Sequence, residues 1–147
     1  MLRLSLRQPH SIKEHLSRKK QIIVTDKAPA ELGTYSQAVA AGPLLFVSGQ
    51  IPLDASGQLV KGDIVVQTVQ ALENLKAILS AAGLNLKDVV KTTVFLADLA
   101  NFAEMNRVYG EFFPEKAPAR STVQVAGLPR GAAVEIEAVA LRKDWPE

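Results

Sequence analysis

Pro118-Ala119-Arg120-Ser121-Thr122-Val123-Gln124-Val125, followed after a Gly/Pro turn by Val134-Glu135-Ile136-Glu137-Ala138-Val139-Ala140, reads as two apolar β-strands carrying one arginine and two carboxylates. An arginine at the mouth of a strand offers a planar, permanently charged fork that matches a carboxylate with two parallel hydrogen bonds. A glutamate on an adjoining strand can handle a proton or a water. The combination points to a small carboxylic acid undergoing hydrolysis rather than a redox or phosphoryl step.

Working outward from these strands, Pro114 and Pro118 close a helix expected over Leu99 to Phe113, where Phe102, Met105, Val108 or Tyr109, and Phe112 recur at helical spacing. Before it, the β-branched run Val89 to Leu96 reads as a strand. A long helix starts at the candidate N-cap Asp63, places Val65, Val69, Leu72, Leu75, Leu79 and Ala82 on one stripe, and stops at Gly83. Upstream, Leu44 to Ile51 is a strand too continuously apolar to have a solvated face. Tyr35 to Ala40 leads into the Gly42-Pro43 turn, and Ile22-Ile23-Val24 is a short strand. The order β-β-β-α-β-α-β-β is an α+β sandwich, one mixed sheet backed by two helices. Two helices on one side leave the other face of so apolar a sheet uncovered. Oligomerisation would bury it and would put Arg120 in a cleft between chains.

At 147 residues the chain is one domain's length: a basic N-terminal extension over 1–20 and a single domain over 21–147. The charge divides the same way. Residues 1–20 carry six basic side chains against Glu14 alone (+5), and the rest carry 11 basic and 14 acidic ones (−3), together the net +2. A basic patch interleaved with aromatics is missing from the body, so a nucleic-acid partner is not expected. The Arg- and Ser-rich start has the composition of a transit peptide. An ordinary extension, a docked helix or an upstream start codon fits it as well. The expected location is therefore cytoplasmic, or mitochondrial or plastid if the segment is a targeting signal. No apolar run approaches the ~20 residues of a membrane helix. With no cysteine there is no disulfide, thiolate nucleophile or zinc–thiolate site, and with His10 and His15 both near the start the body has no histidine for a triad.

An ordered set of segments resembles the reactive intermediate deaminase (Rid, YjgF-like) family over about residues 22 to 143: Ala28-Pro29, Gly33 with Tyr35-Ser36-Gln37-Ala38, Phe46 to Pro52, Val89 to Leu96, Met105-Asn106, Pro118 to Ser121, and Val134 to Ala138. The resemblance implies a homotrimer of chorismate-mutase-like subunits, sites in the intersubunit clefts, and cofactor-free hydrolysis of 2-imino acids to 2-oxo acids and ammonia. Carried over by position, it makes Arg120 the anchor for the substrate carboxylate and Glu135 the group that orients the attacking water. Tyr35 lines the pocket, Gly49 offers a backbone N–H, Asn106 and Phe102 shape the wall, and Thr122 stands beside the arginine. Two departures stand out. Thr34 replaces a proline common in the family, leaving the Tyr35 loop less constrained, and Thr122 replaces a cysteine common among bacterial members, which argues against thiol dependence.

Five of these residues also have a structural reading. Arg120 can tie subunits together through an ion pair, Glu135 and Glu137 can form a solvated face, Tyr35 can be a core phenol, Asn106 a bridge and Phe102 plain core. A glycosidase pair is rejected for want of an aromatic sugar platform, and Lys91 lies in a strand without the glycine loop of a pyridoxal-phosphate site. A carboxylate-sensing or chaperone-like module and, with less support from an acidic, histidine-free body, a translation-inhibiting ribonuclease are the competing functions.

Overall fold

The computed structural model describes residues 19–145, and the expectation for the basic N-terminal extension falls largely outside them. Eight main elements follow in chain order: β1 (Gln21–Ile23), β2 (Ala38–Ala41), β3 (Leu44–Gln50), α1 (Ile64–Ala81), β4 (Val89–Leu96), α2 (Phe102–Phe112), β5 (Ala119–Gln124) and β6 (Val134–Leu141). They form an α+β fold with one six-stranded mixed sheet in the order β1-β2-β3-β6-β4-β5. The last strand, β6, inserts antiparallel between β3 and β4, and only β4 and β5, joined through α2, run parallel. Among the described residues no helix is long and apolar enough to cross a membrane.

Local chemistry explains the boundaries of α1. The Asp63 carboxylate accepts the Val66 N–H at 3.1 Å, and Gly83, at φ +74°, ends the helix with Gly83 N–H bonded to Ser80 O and Leu84 N–H to Leu79 O, the Schellman pattern. Its buried face differs from the expected stripe. Val69 is exposed, while Gln67, Thr68 and Asn74 are buried beside Ile64, Ala71, Leu72, Leu75, Ile78 and Leu79. Two of these polar side chains are used to hold loops. Asn74 donates to Leu53 O at 2.7 Å and Ile51 O at 3.3 Å, and Gln67 accepts the Ala133 N–H at 2.8 Å. Satisfied this way, they cost little to bury, which is why hydropathy alone misplaced the stripe.

Other corrections are smaller. The expected Leu99–Phe113 helix opens with a 3₁₀ turn over Leu99–Asn101, and β5 starts at Ala119, two residues earlier than expected. The expectation that β3 has no solvated face does not hold for a single chain. Leu45 and Val47 are buried under the helices, but Phe46 points the other way and is 47% exposed.

Candidate functional site

A bulge in β3 builds one half of the site. The β3–β6 register shifts between Val47 and Gln50, leaving Ser48 and Gly49 without Cα partners, and a bulge of this kind re-aims the strand beside it. Across from it on β6, Glu135 lays its carboxylate over Gly49. A Cβ at Gly49 would stand 2.9 Å from Glu135 Cδ and closer to Oε1, so only glycine leaves the carboxylate its place. Tyr35, Gly49 and Glu135 line one cavity of about 590 Å³, together with Gln37, Arg130 and Glu137. Burial pushes the Glu135 carboxyl above its ordinary range, and the Glu137 charge two residues along adds to the rise. The buried Gln37 side chain fixes the wall: it donates to Pro29 O at 2.8 Å and Thr25 O at 3.0 Å and accepts the Thr25 N–H at 2.7 Å. The segment carrying Tyr35 is thereby tied at its base, while the Tyr35 ring itself remains 52% exposed and is no core phenol in the single chain.

Arg120 belongs to the other half. Its Cα partner on β4 is Thr92, whose hydroxyl shares a 2.6 Å hydrogen bond with Tyr109 of α2. The guanidinium carbon lies 4.6 Å from the Tyr109 ring centroid and 5.6 Å from that of Phe102. Phe102, Asn106 and Tyr109 fall on one stripe of α2 by their spacing, so Asn106 shares a helix face with the two rings that flank the guanidinium. Two residues along β5 from Arg120, the Thr122 hydroxyl oxygen is buried and has no hydrogen-bond partner among the described residues. Arg120 makes no ion pair and no side-chain hydrogen bond among them either, so its fork is free to receive a carboxylate.

Register decides how these halves relate. Arg120 pairs with Thr92 and Thr92 with Ala138, all on the helix-covered face, whereas Glu135 pairs with Phe95 and Glu137 with Thr93 on the opposite one. Two strand spacings and three residues' rise put the Arg120 and Glu135 Cα atoms about 14 Å apart, with side chains on opposite faces. One chain therefore gathers Tyr35, Gly49 and Glu135 in one place and Phe102, Asn106, Arg120 and Thr122 in another.

Residues 25–142 match the protein-family model described as Endoribonuclease L-PSP. This chain belongs to the L-PSP/YjgF/Rid family. Its relatives in the family include a RutC family protein of Pyrococcus horikoshii, 54% identical over 125 residues that span 84% of this chain and 99% of that one. The 2-iminobutanoate/2-iminopropanoate deaminase of Mus musculus is 51% identical over 124 residues, 84% of this chain and 92% of the mouse protein. The crystal structure of E. coli TdcF with bound serine matches with a TM-score of 0.80 at 46% identity, over 84% of this chain and 99% of that one.

Three further residues reach these Rid-family half-sites with no signal of that role in the sequence. Gln37 sat in the motif but gave no sign of its loop clamp, and Tyr109 was one of two alternatives for a core position. Arg130, whose φ of +61° is unusual for a non-glycine residue, lines the Glu135 cavity and donates to Gly57 O at 3.2 Å. No spacing rule connects it to Glu135. Among the described residues no group of three or more His, Cys, Asp or Glu could hold a metal ion.

Proposed function

We propose that the protein hydrolyses reactive 2-imino acids, formed by tautomerisation of enamines, to 2-oxo acids and ammonia, at sites completed between copies of the chain in a homotrimer. The observation that carries this reading is the separation of a free arginine fork and a proton-handling glutamate onto opposite faces of one sheet. Neither half has both groups the reaction needs. A second copy that brings its Arg120 face to the first copy's Glu135 cavity supplies both, and it also covers the apolar open face around Phe46 and Val139. The names of mammalian relatives such as the mouse deaminase support the reaction class, and the serine bound to TdcF is consistent with a pocket for small molecules of amino-acid type.

In this scheme Arg120 holds the substrate carboxylate through paired hydrogen bonds, with Asn106, Phe102 and the Thr122 hydroxyl around it. The protonated imine carbon is already electrophilic, so positioning and proton management are sufficient. Glu135 in its carboxylate form takes a proton from water as the oxygen bonds to C2. The tetrahedral carbinolamine then receives that proton on nitrogen, the C–N bond breaks and ammonia leaves, and the C=O of the 2-oxo acid forms as Glu135, a carboxylate once more, takes the hydroxyl proton and passes it to the ammonia or to solvent. A carboxyl that burial makes more basic than an ordinary glutamate suits both the uptake and the return of the proton. The chain's own side chains suffice for each step, with no cofactor invoked.

The test couples a threonine dehydratase to the full chain and follows loss of 2-iminobutanoate, trapped as its semicarbazone. Wild type should accelerate the loss, and Arg120→Ala and Glu135→Gln should return it to background, with Glu135→Gln still binding 2-oxobutanoate. No acceleration by assembled wild type would discard the enzyme and leave a carboxylate-sensing module as the account.

A further inference from the structure

A surface arginine on a sheet's edge strand is a poor anchor unless something holds it, because its long side chain has many rotamers to choose from. Arg120 has that position, on the outermost strand β5, and among the described residues no carboxylate or carbonyl accepts from its guanidinium. What it does have is an aromatic surface. We propose that Tyr109 is a positioning residue for Arg120: its ring face holds the guanidinium so that the N–H fork stays free for a carboxylate.

Three observations converge on Tyr109 rather than on aromatic packing in general. The guanidinium is nearer its ring than Phe102's, 4.6 against 5.6 Å, well within the ~6 Å over which a cation is drawn to a ring face. Tyr109 is itself held rigidly, being 4% exposed, in tilted contact with Phe113 at 4.7 Å between centroids, and hydrogen-bonded through its hydroxyl to Thr92. Thr92, in turn, is fully buried and is the Cα partner of Arg120. The arginine's backbone and its charged tip are therefore referred to the same buried threonine, one through the β-ladder and the other through the ring. A carboxylate in the ring's place would hold the arginine as well but would consume its fork. The ring attracts the charge from below and leaves the in-plane N–H groups unoccupied.

The proposal rests on reading Arg120 as the carboxylate anchor, and the experiment separates the two claims. In wild type, the Arg120 side-chain protons, assigned by their loss in Arg120→Lys, should show an upfield ring-current shift in the NMR spectrum. Tyr109→Phe should retain it and Tyr109→Leu remove most of it, leaving only the smaller contribution of the more distant Phe102 ring. Calorimetric titration with 2-oxobutanoate should then give about 3- to 30-fold weaker binding for Tyr109→Leu, near-native binding for Tyr109→Phe, and no further loss when Tyr109→Leu is added to Arg120→Ala. In the imine assay Tyr109→Leu should raise KM with kcat little changed, a split that general destabilisation would not produce. Absence of the ring-current shift in wild type overturns the proposal whether or not any variant folds, as does an equal loss of affinity in the presence and absence of Arg120. A wild-type protein that shows the shift but binds no 2-oxobutanoate would instead overturn the deaminase reading and leave Tyr109 as the residue that positions this arginine.

Discussion

On the face of the sheet that carries the helices, most buried polar side chains are paired, Thr92 with Tyr109, Gln67 with the Ala133 amide and Asn74 with two carbonyls, while the hydroxyls of Thr68 and Thr122 have no partner among the described residues. On the other face Glu135 and Glu137 stand side by side with no ion pair among the described residues, in a neighbourhood that includes the exposed ring of Phe46. Apart from the unpaired Arg120 fork and the Thr122 hydroxyl beside it, the first face is finished within one chain, and the second is not. The difference teaches where chemistry can be located. A finished face can hold a charge rigidly and offer it outward, while an unfinished one can have its environment completed by whatever covers it. The largest effect available is therefore a complementation experiment. Arg120→Ala and Glu135→Gln chains, each inactive alone, should regain about a quarter of wild-type imine hydrolysis when co-expressed at equal levels, because that share of randomly assembled interfaces pairs an intact Arg120 with an intact Glu135. If the two residues serve one site within a chain, the hybrid will show none, and the contrast between the faces loses its functional meaning.

A second way to sharpen the contrast lies in how each face is coupled to the cavity. Asn74 is buried on α1, under the helix-covered face, yet its two hydrogen bonds end on the Ile51 and Leu53 carbonyls, whose residues line the Glu135 cavity on the far side. Replacing it by alanine leaves the two carbonyls without that donor, at a cost of about 1–3 kcal/mol in chemical denaturation. The cavity wall should loosen with it, lowering turnover more than Tyr109→Phe does. Native stability for Asn74→Ala would mean that the two faces are built independently.

How much of this could be read from the chain alone follows the same division. The element order, both ends of α1 through Asp63 and Gly83, and strand β4 to its boundaries were legible because caps and β-branched runs are local signals. The buried face of α1 was not, since Gln67 and Asn74 are buried only by virtue of partners more than twenty residues away. Likewise each expected site residue was identifiable by type, but their distribution over two faces depends on the pairing of β4 with both β5 and β6. Whether Arg120 and Glu135 share a face is a question of parity along Thr92, Thr93 and Phe95, and a single residue's change in register would reverse it. The β3 bulge at Ser48 and Gly49 was equally silent, because nothing in Val-Ser-Gly-Gln distinguishes a bulge from a regular strand until the partner strand is known.

The smallest predicted effect concerns the carboxylate pair itself. Two causes raise the Glu135 carboxyl, burial first and the Glu137 charge second. In the proposed mechanism activity requires the Glu135 carboxylate, so turnover should be present above its raised pKa and be lost as pH falls through it. Glu137→Gln removes the like charge and leaves the burial, so the acid limb of the kcat profile should move to lower pH while the plateau above it stays near wild type. Burial is the larger cause, so the limb should remain above the range of an ordinary glutamate even in the variant. A limb that does not move would mean that the covering copy, through Arg120 or its neighbours, already neutralises Glu137 in the assembled protein. The open face would then be electrostatically finished by its partner. A limb that moves to the ordinary glutamate range would make the like charge, and not burial, the dominant cause, and would place Glu135 in more water than one chain's geometry gives it.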